Sequence, residues 1–194
     1  MSDTSNYRDY VTDGKVGIDL TATYASLSAG STIIYPHRAG DRVQGNNNST
    51  YVFCRAQSDI TQYSVVGFNS FADSSLSSDA TRAPILAAAN LSVTLAGPAG
   101  ALGMCNVGIA QVSIASAYYG WIAISGSALR CNAVAGANPK LMLFASTTGG
   151  SVTSTTASSA CIDGLTLNTS ATSASAPWAF ANFPRIIQVQ TSST

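Results

Sequence analysis

Hydrophobic and polar positions alternate with a two-residue period over much of the chain. From Thr50, Val52 and Cys54 alternate with Tyr51, Phe53 and Arg55, and a second run, Tyr63 to Phe68, follows Gln57, Ser58 and Asp59. The series continues through Cys105 to Ile114, Tyr119 to Ser125, Leu129 to Ala135, Lys140 to Ala145, Cys161 to Leu167 and Trp178 to Gln190, each broken by Gly, Ser, Asn or Pro. Short strands separated by turn signals predict an all-β fold, a compact antiparallel barrel or sandwich. One stretch differs. Between Pro84 and Leu95, Ile85, Leu86 and Ala89 fall at helical offsets and Gly97-Pro98 ends the run, so at most one short helix is expected. Gly136-Ala137-Asn138-Pro139 reads as a turn, and Ser146 to Ser159 is too polar for core, which predicts an exposed loop or hairpin tip.

Ahead of this pattern lies a different segment. Residues 1–35 carry Asp3, Arg8, Asp9, Asp13, Lys15 and Asp19 interleaved with Tyr7, Tyr10 and Tyr24, and read as an extended N-terminal arm. Residues 36–194 are expected to form a single β-rich domain. Two readings compete for the arm: a solvated terminus, or a segment that orders by adding to the sheet edge of another chain.

Composition sharpens the picture. The chain of 194 residues is 46% hydrophobic and only 9% charged with zero net charge, which excludes intrinsic disorder. Every acidic residue is Asp, and Lys15 and Lys140 are the only lysines, so the usual surface-helix formers are missing. A neutral balance provides no field to draw in nucleic acid. After Arg82 only Arg130, Lys140, Asp163 and Arg185 are charged, and so sparse a surface is expected to be covered in part by neighbouring subunits. The first residues show no secretory pattern, and Pro98 with its neighbouring glycines interrupts the charge-free stretch from Ala83 to Leu129. Synthesis in a cytoplasm and no membrane span are expected. Cys54, Cys105, Cys131 and Cys161 lack metal or redox spacing and are expected to be free and mostly buried.

Candidate chemistry is thin. His37 is the only histidine, no G-x-S-x-G elbow accompanies the serines, and nearby Asp41 reads as a turn residue in Ala39-Gly40-Asp41. Asp73 and Asp79 lack the regular spacing of a calcium loop, and the glycines at 97, 100 and 103 lack the Lys of a phosphate loop. No catalytic residue, metal or cofactor is expected, and the chain is read as a non-enzyme. Tyr118, Tyr119 and Trp121 are capable of forming a stacking platform, but Tyr119 and Trp121 share one side of a strand and core filling is the stronger expectation.

Gly40-Asp41-Arg42-Val43, the run from Tyr51 to Val66, the block from Gly108 to Gly126 with its Tyr-Gly-Trp, the run from Leu143 to Val152, Ile162 to Leu167 and Ala181 to Ile186 occur in an order that resembles a family of small tailed-bacteriophage virion proteins, the capsid decoration or cement proteins. The likeness covers roughly residues 38 to 188. It departs from the family in a longer segment from Ser70 to Met104 and in the four cysteines. The resemblance implies a structural protein of the virion, a homo-oligomer with a trimer favoured, that binds the major capsid protein on the outside of the expanded phage head and stabilises it. It brings no cofactor and no catalytic residue. In that setting the arm is expected to augment a capsid-protein edge, with Tyr7, Arg8 and Tyr10 as contact residues. Three alternatives stay open: another virion part such as a tail-tube or fibre-associated protein, a carbohydrate-binding adhesin module using Tyr118, Trp121 and Trp178, and a hydrolase working through His37.

Overall fold

The computed structural model describes residues 18–25, 37–45, 48–71, 85–91, 106–155 and 160–188. Those residues form ten strands and, among them, no helix: β1 (Arg42–Gln44), β2 (Thr50–Ala56), β3 (Val65–Phe71), β4 (Ile85–Asn90), β5 (Val107–Ala110), β6 (Tyr119–Arg130), β7 (Leu143–Ala145), β8 (Val152–Thr153), β9 (Ala160–Leu167) and β10 (Trp178–Gln188). The expected all-β architecture is present, and it takes the form of a barrel.

Five strands close the barrel in the order β2, β4, β3, β5, β6, with β6 returning to pair with β2. Every contact in the ring is antiparallel except β2 with β4, which run parallel through Arg55↔Ala87 and Ala56↔Ala88. Closure removes the exposed edges that an open sheet of such apolar strands would present to other chains.

The remaining strands extend from two points of the ring. β6 covers one edge of β2 from Thr50 to Arg55, so the other edge is shared: β1 takes residues 50 to 52 and β4 takes 55 and 56. In the same way β6 passes one edge from β5 at Ile122 and Ala123 to β10 at Ser125 through Arg130. β9, β7 and β8 follow β10 outward and make a wing packed on the barrel.

Alternation then divides the core in two. Val52, Cys54, Val66, Phe68, Ala88, Ala110, Ile122 and Ile124 come from all five ring strands and fill the bore, and Ile60 and Ile114, bridged to each other, close one end. The opposite faces of β2 and β6 carry Tyr51, Phe53, Tyr119, Trp121 and Ala123, which pack in a second layer with Leu143, Ile162, Leu167, Ala179 and Ile186 of the wing. Because both faces are buried, β2 and β6 read in sequence as near-continuous apolar runs.

Several expectations need correction. The Pro84 to Leu95 stretch is not helical where it is described, since Ile85–Asn90 is β4. Ala88 is fully buried in the inner core, and the pairing of β4 with β3 and β2 overrides the helix preference of an alanine run. The Tyr119 to Ser125 run and the first residues of the run that begins at Leu129 are one long strand, bent at Gly126, whose φ is +151°. The Ser146 to Ser159 segment is not simply an exposed tip: Ser146, Val152 and Thr153 are buried, and the Thr153 hydroxyl meets that of Thr155 at 2.8 Å.

Residues 18–25 lie on the barrel. Leu20 enters the outer layer, and Tyr24 exchanges two backbone hydrogen bonds with Tyr119, at 2.8 and 2.7 Å. Tyr7, Arg8 and Tyr10 are outside the described residues.

Cys54, Cys131 and Cys161 are free and buried, as expected, while Cys105 is outside the described residues. Burial pushes the Cys54 thiol up strongly and the Cys131 thiol up to about 12, and burial followed by the neighbouring Asp163 carboxylate raises Cys161. In the unfolded chain these thiols ionise near pH 8.5, with values of about 8.5 typical of free cysteine. Between there and the folded value the unfolded state holds fewer protons than the fold, so stability falls as pH rises. Denaturation at a series of pH values above that should show unfolding free energy dropping by about 1.4 kcal/mol per pH unit for each of Cys54 and Cys131. Cys131→Ala should flatten that slope by one thiol's share, and an unchanged slope would refute the assignment.

Candidate interaction surface

The outer face of the wing is built by β10. Along Trp178-Ala179-Phe180-Ala181, the alanines point inward and are fully buried, which leaves Trp178 and Phe180 outward and more than 40% exposed, at 43% and 45%. Large apolar side chains at such exposure on a rigid strand are the informative departure from ordinary burial.

Neighbouring groups hold the tryptophan in place. Arg130 is its register partner on β6, and the guanidinium lies 5.4 Å from the Trp178 ring centre and 5.3 Å from that of Tyr63. Arg130 Nε also donates to the Ala176 carbonyl at 2.9 Å, and Gln111 donates to the Arg130 carbonyl at 3.1 Å. A cation between two rings, fixed by hydrogen bonds, presents an aromatic surface with little entropy left to lose on binding.

Farther along β10 the ladder with β9 shifts between Ala181 and Arg185, and the extra residues bring Phe183 to the surface with φ +46°. A left-handed phenylalanine costs on the order of 1–3 kcal/mol and persists only where its surroundings impose it. Here Pro184 follows it, and opposite it Gly164 adopts φ +78°, where a Cβ would stand 2.7 Å from the Asn182 carbonyl oxygen. Beyond the bulge Arg185 meets Asp163 at 3.4 Å, an exposed pair that adds little. Leu141 and Met142, just ahead of β7, are exposed as well.

No protein-family model, no curated protein and no solved structure matches the chain. The surface is therefore read on its own chemistry: aromatic and aliphatic groups around one arginine, the composition of the energetic centre of protein interfaces.

The residues singled out from sequence fall elsewhere. His37 sits among aromatic rings, 4.8 Å from Trp121 and 5.4 Å from Phe53 between ring centres. Asp41 closes a turn, its carboxylate accepting from the Arg38 N–H at 3.0 Å. Tyr119 and Trp121 are core, so Trp121 is not a surface for stacking sugars, whereas Tyr118 and Trp178 are exposed. Asp73 and Asp79 lie outside the described residues. Phe180 and Phe183 went unmarked in the sequence reading. The signal that marks Phe180 is the Trp-Ala-Phe-Ala alternation, which puts both large rings on one side of a strand.

Proposed function

We propose that this chain is a structural subunit of a tailed-bacteriophage particle, a capsid decoration protein that binds the major capsid protein on the outside of the expanded head and acts as a homo-oligomer, a trimer by preference. The observation that carries the reading, beside the sequence resemblance, is the exposed aromatic face of β10 around Trp178, Phe180 and Arg130. Held on a rigid strand in a low-charge surface, it suits burial against protein. Many copies on a symmetric lattice convert a modest contact per subunit into a strong clamp. The reading assigns no catalytic residue and no cofactor.

The test is to mix the purified chain with expanded, undecorated capsids of the source phage and count bound copies by cosedimentation and cryo-electron microscopy. Saturable density at lattice symmetry axes is expected. Replacing Trp178 and Phe180 together by serine should leave near-ultraviolet circular dichroism showing a folded chain and weaken binding by roughly 30-fold or more, the loss typical of interface hot spots. Density only on tails, or none, would overturn the capsid reading, and full binding by the double variant would move the contact off β10.

A further inference from the structure

The barrel has one end closed by Ile60 and Ile114 and another that is open. The open end lies where the free edge of β2 passes from β4 to β1, and there a cavity of about 250 Å³ enters the bore. Its floor is apolar: Val52, Phe68 and Ile124, all members of the inner core, line it. Its rim is polar, formed by Arg42 of β1 and Asn106 just ahead of β5, and the strained Phe183-Pro184 bulge stands beside them.

We infer that this open end is a binding site for a small apolar carboxylate, a single ring or branched chain carrying one carboxyl group. Size sets the first limit. A dry apolar cavity of roughly 150 Å³ accommodates benzene, whereas drug-sized ligands need roughly 300 Å³ or more, so this volume fits one ring and a small substituent. Charge sets the second. No described carboxylate pairs with Arg42, and the neighbouring Asp41 is engaged by the Arg38 N–H in its turn. A planar guanidinium at the rim of an apolar cavity matches a carboxylate whose remaining body is hydrophobic. The register partner of Arg42 is Val52, so the charged and apolar ends of the site are one ladder step apart. The third observation is Phe183, since a left-handed, outward phenylalanine at a cavity mouth is the kind of backbone strain that accompanies ligand sites. This inference does not rest on the capsid reading and survives its failure.

The experiment titrates the full chain, with isotope-labelled methyl groups, with benzoate and separately with benzyl alcohol, its neutral counterpart, and follows the Val52 and Ile124 methyl resonances. Saturable shifts centred on these methyls are expected with benzoate. Arg42→Gln, an exposed substitution, should weaken benzoate roughly tenfold or more while leaving the weak binding of benzyl alcohol unchanged, the signature of a lost charge-assisted hydrogen bond. Non-saturating shifts, shifts centred elsewhere in the molecule, or equal benzoate affinity in Arg42→Gln would each overturn the proposal.

Discussion

Trp121→Ala is expected to remove about 3–5 kcal/mol of unfolding free energy, the largest loss of any single side chain considered for this barrel. The indole is fully buried on the outer face of β6, in register with Phe53 of β2, whose ring centre lies 5.0 Å away. His37 packs edge-on against it at 4.8 Å, and Phe53 stacks on Tyr119 at 5.8 Å, so the indole is the joint between the ring strands and the chain laid over them. Its removal leaves a void that the paired strands on either side cannot close. Trp121→Phe should cost far less. Among the described residues the indole Nε1 has no hydrogen-bond partner, so phenylalanine removes an unsatisfied buried donor along with some packing. Trp178→Ala, at the half-exposed position on β10, should stay within about 1 kcal/mol of the parent. Urea denaturation of the three variants tests the ordering, and an alanine loss at Trp121 no larger than that at Trp178 would contradict the layer assignment.

That ordering bears on what was legible in the sequence. The spacing of Tyr119 and Trp121 places both on one side of a strand, and the structure buries both. β5, β7 and β10 fall inside runs whose period or turn signals identify a strand, and β2, β3 and β9 overlap such runs, β3 continuing to Phe71. Misreadings occur where a local preference meets a tertiary demand. The alanines of β4 prefer helix by themselves, yet hydrogen-bonded pairing to β3 and β2 holds them in a strand. The run from Ser146 looks soluble, yet Val152 is buried, pairs through Ala145 with β7, and is followed by Thr153, whose hydroxyl is satisfied locally.

The interaction surface was legible only in part, for a related reason. Hydrophobicity alone assigns the rings of Trp178 and Phe180 to the interior and the intervening alanines to the surface, or leaves the choice open. The wing reverses that assignment because Ala179 and Ala181 face a layer already filled by Leu165, Leu167 and Ile186. Whether a face of alternating large and small apolar residues turns inward is decided by the space left by other strands, and no local pattern contains that space.

Gly108→Ala makes the same point in the bore, and is expected to destabilise the fold by about 2–3 kcal/mol. In an ordinary strand the exchange favours alanine, by roughly 0.5–1 kcal/mol, because glycine has more backbone freedom to lose. Here a Cβ at residue 108 would stand 2.5 Å from Ile122 Cγ2 and 2.8 Å from Phe68 Cζ. Both neighbours are themselves buried in the bore, and the strands that carry them are locked by pairing to β5, through Val66↔Gly108 on one side and Ala110↔Ile122 on the other. Ile122 is fully buried and is the nearer of the two, so it takes most of the clash, whereas Phe68 borders the cavity at the open end. A double-mutant cycle separates this clash from any general cost of altering β5. Ile122→Ala is destabilising by itself, because it empties part of the bore, but it removes the nearest clashing atom and leaves a space that a new methyl group partly fills. In the Ile122→Ala background, where Phe68 is the remaining close neighbour, Gly108→Ala should therefore cost less than about 1 kcal/mol, a coupling of about 1–3 kcal/mol between the two sites. Chemical denaturation of the four proteins measures it. If the two losses simply add, residue 108 does not meet Ile122 on the inner face of the β5–β6 pair, and the closed barrel that positions both the β10 surface and the cavity at its open end would have to be redrawn.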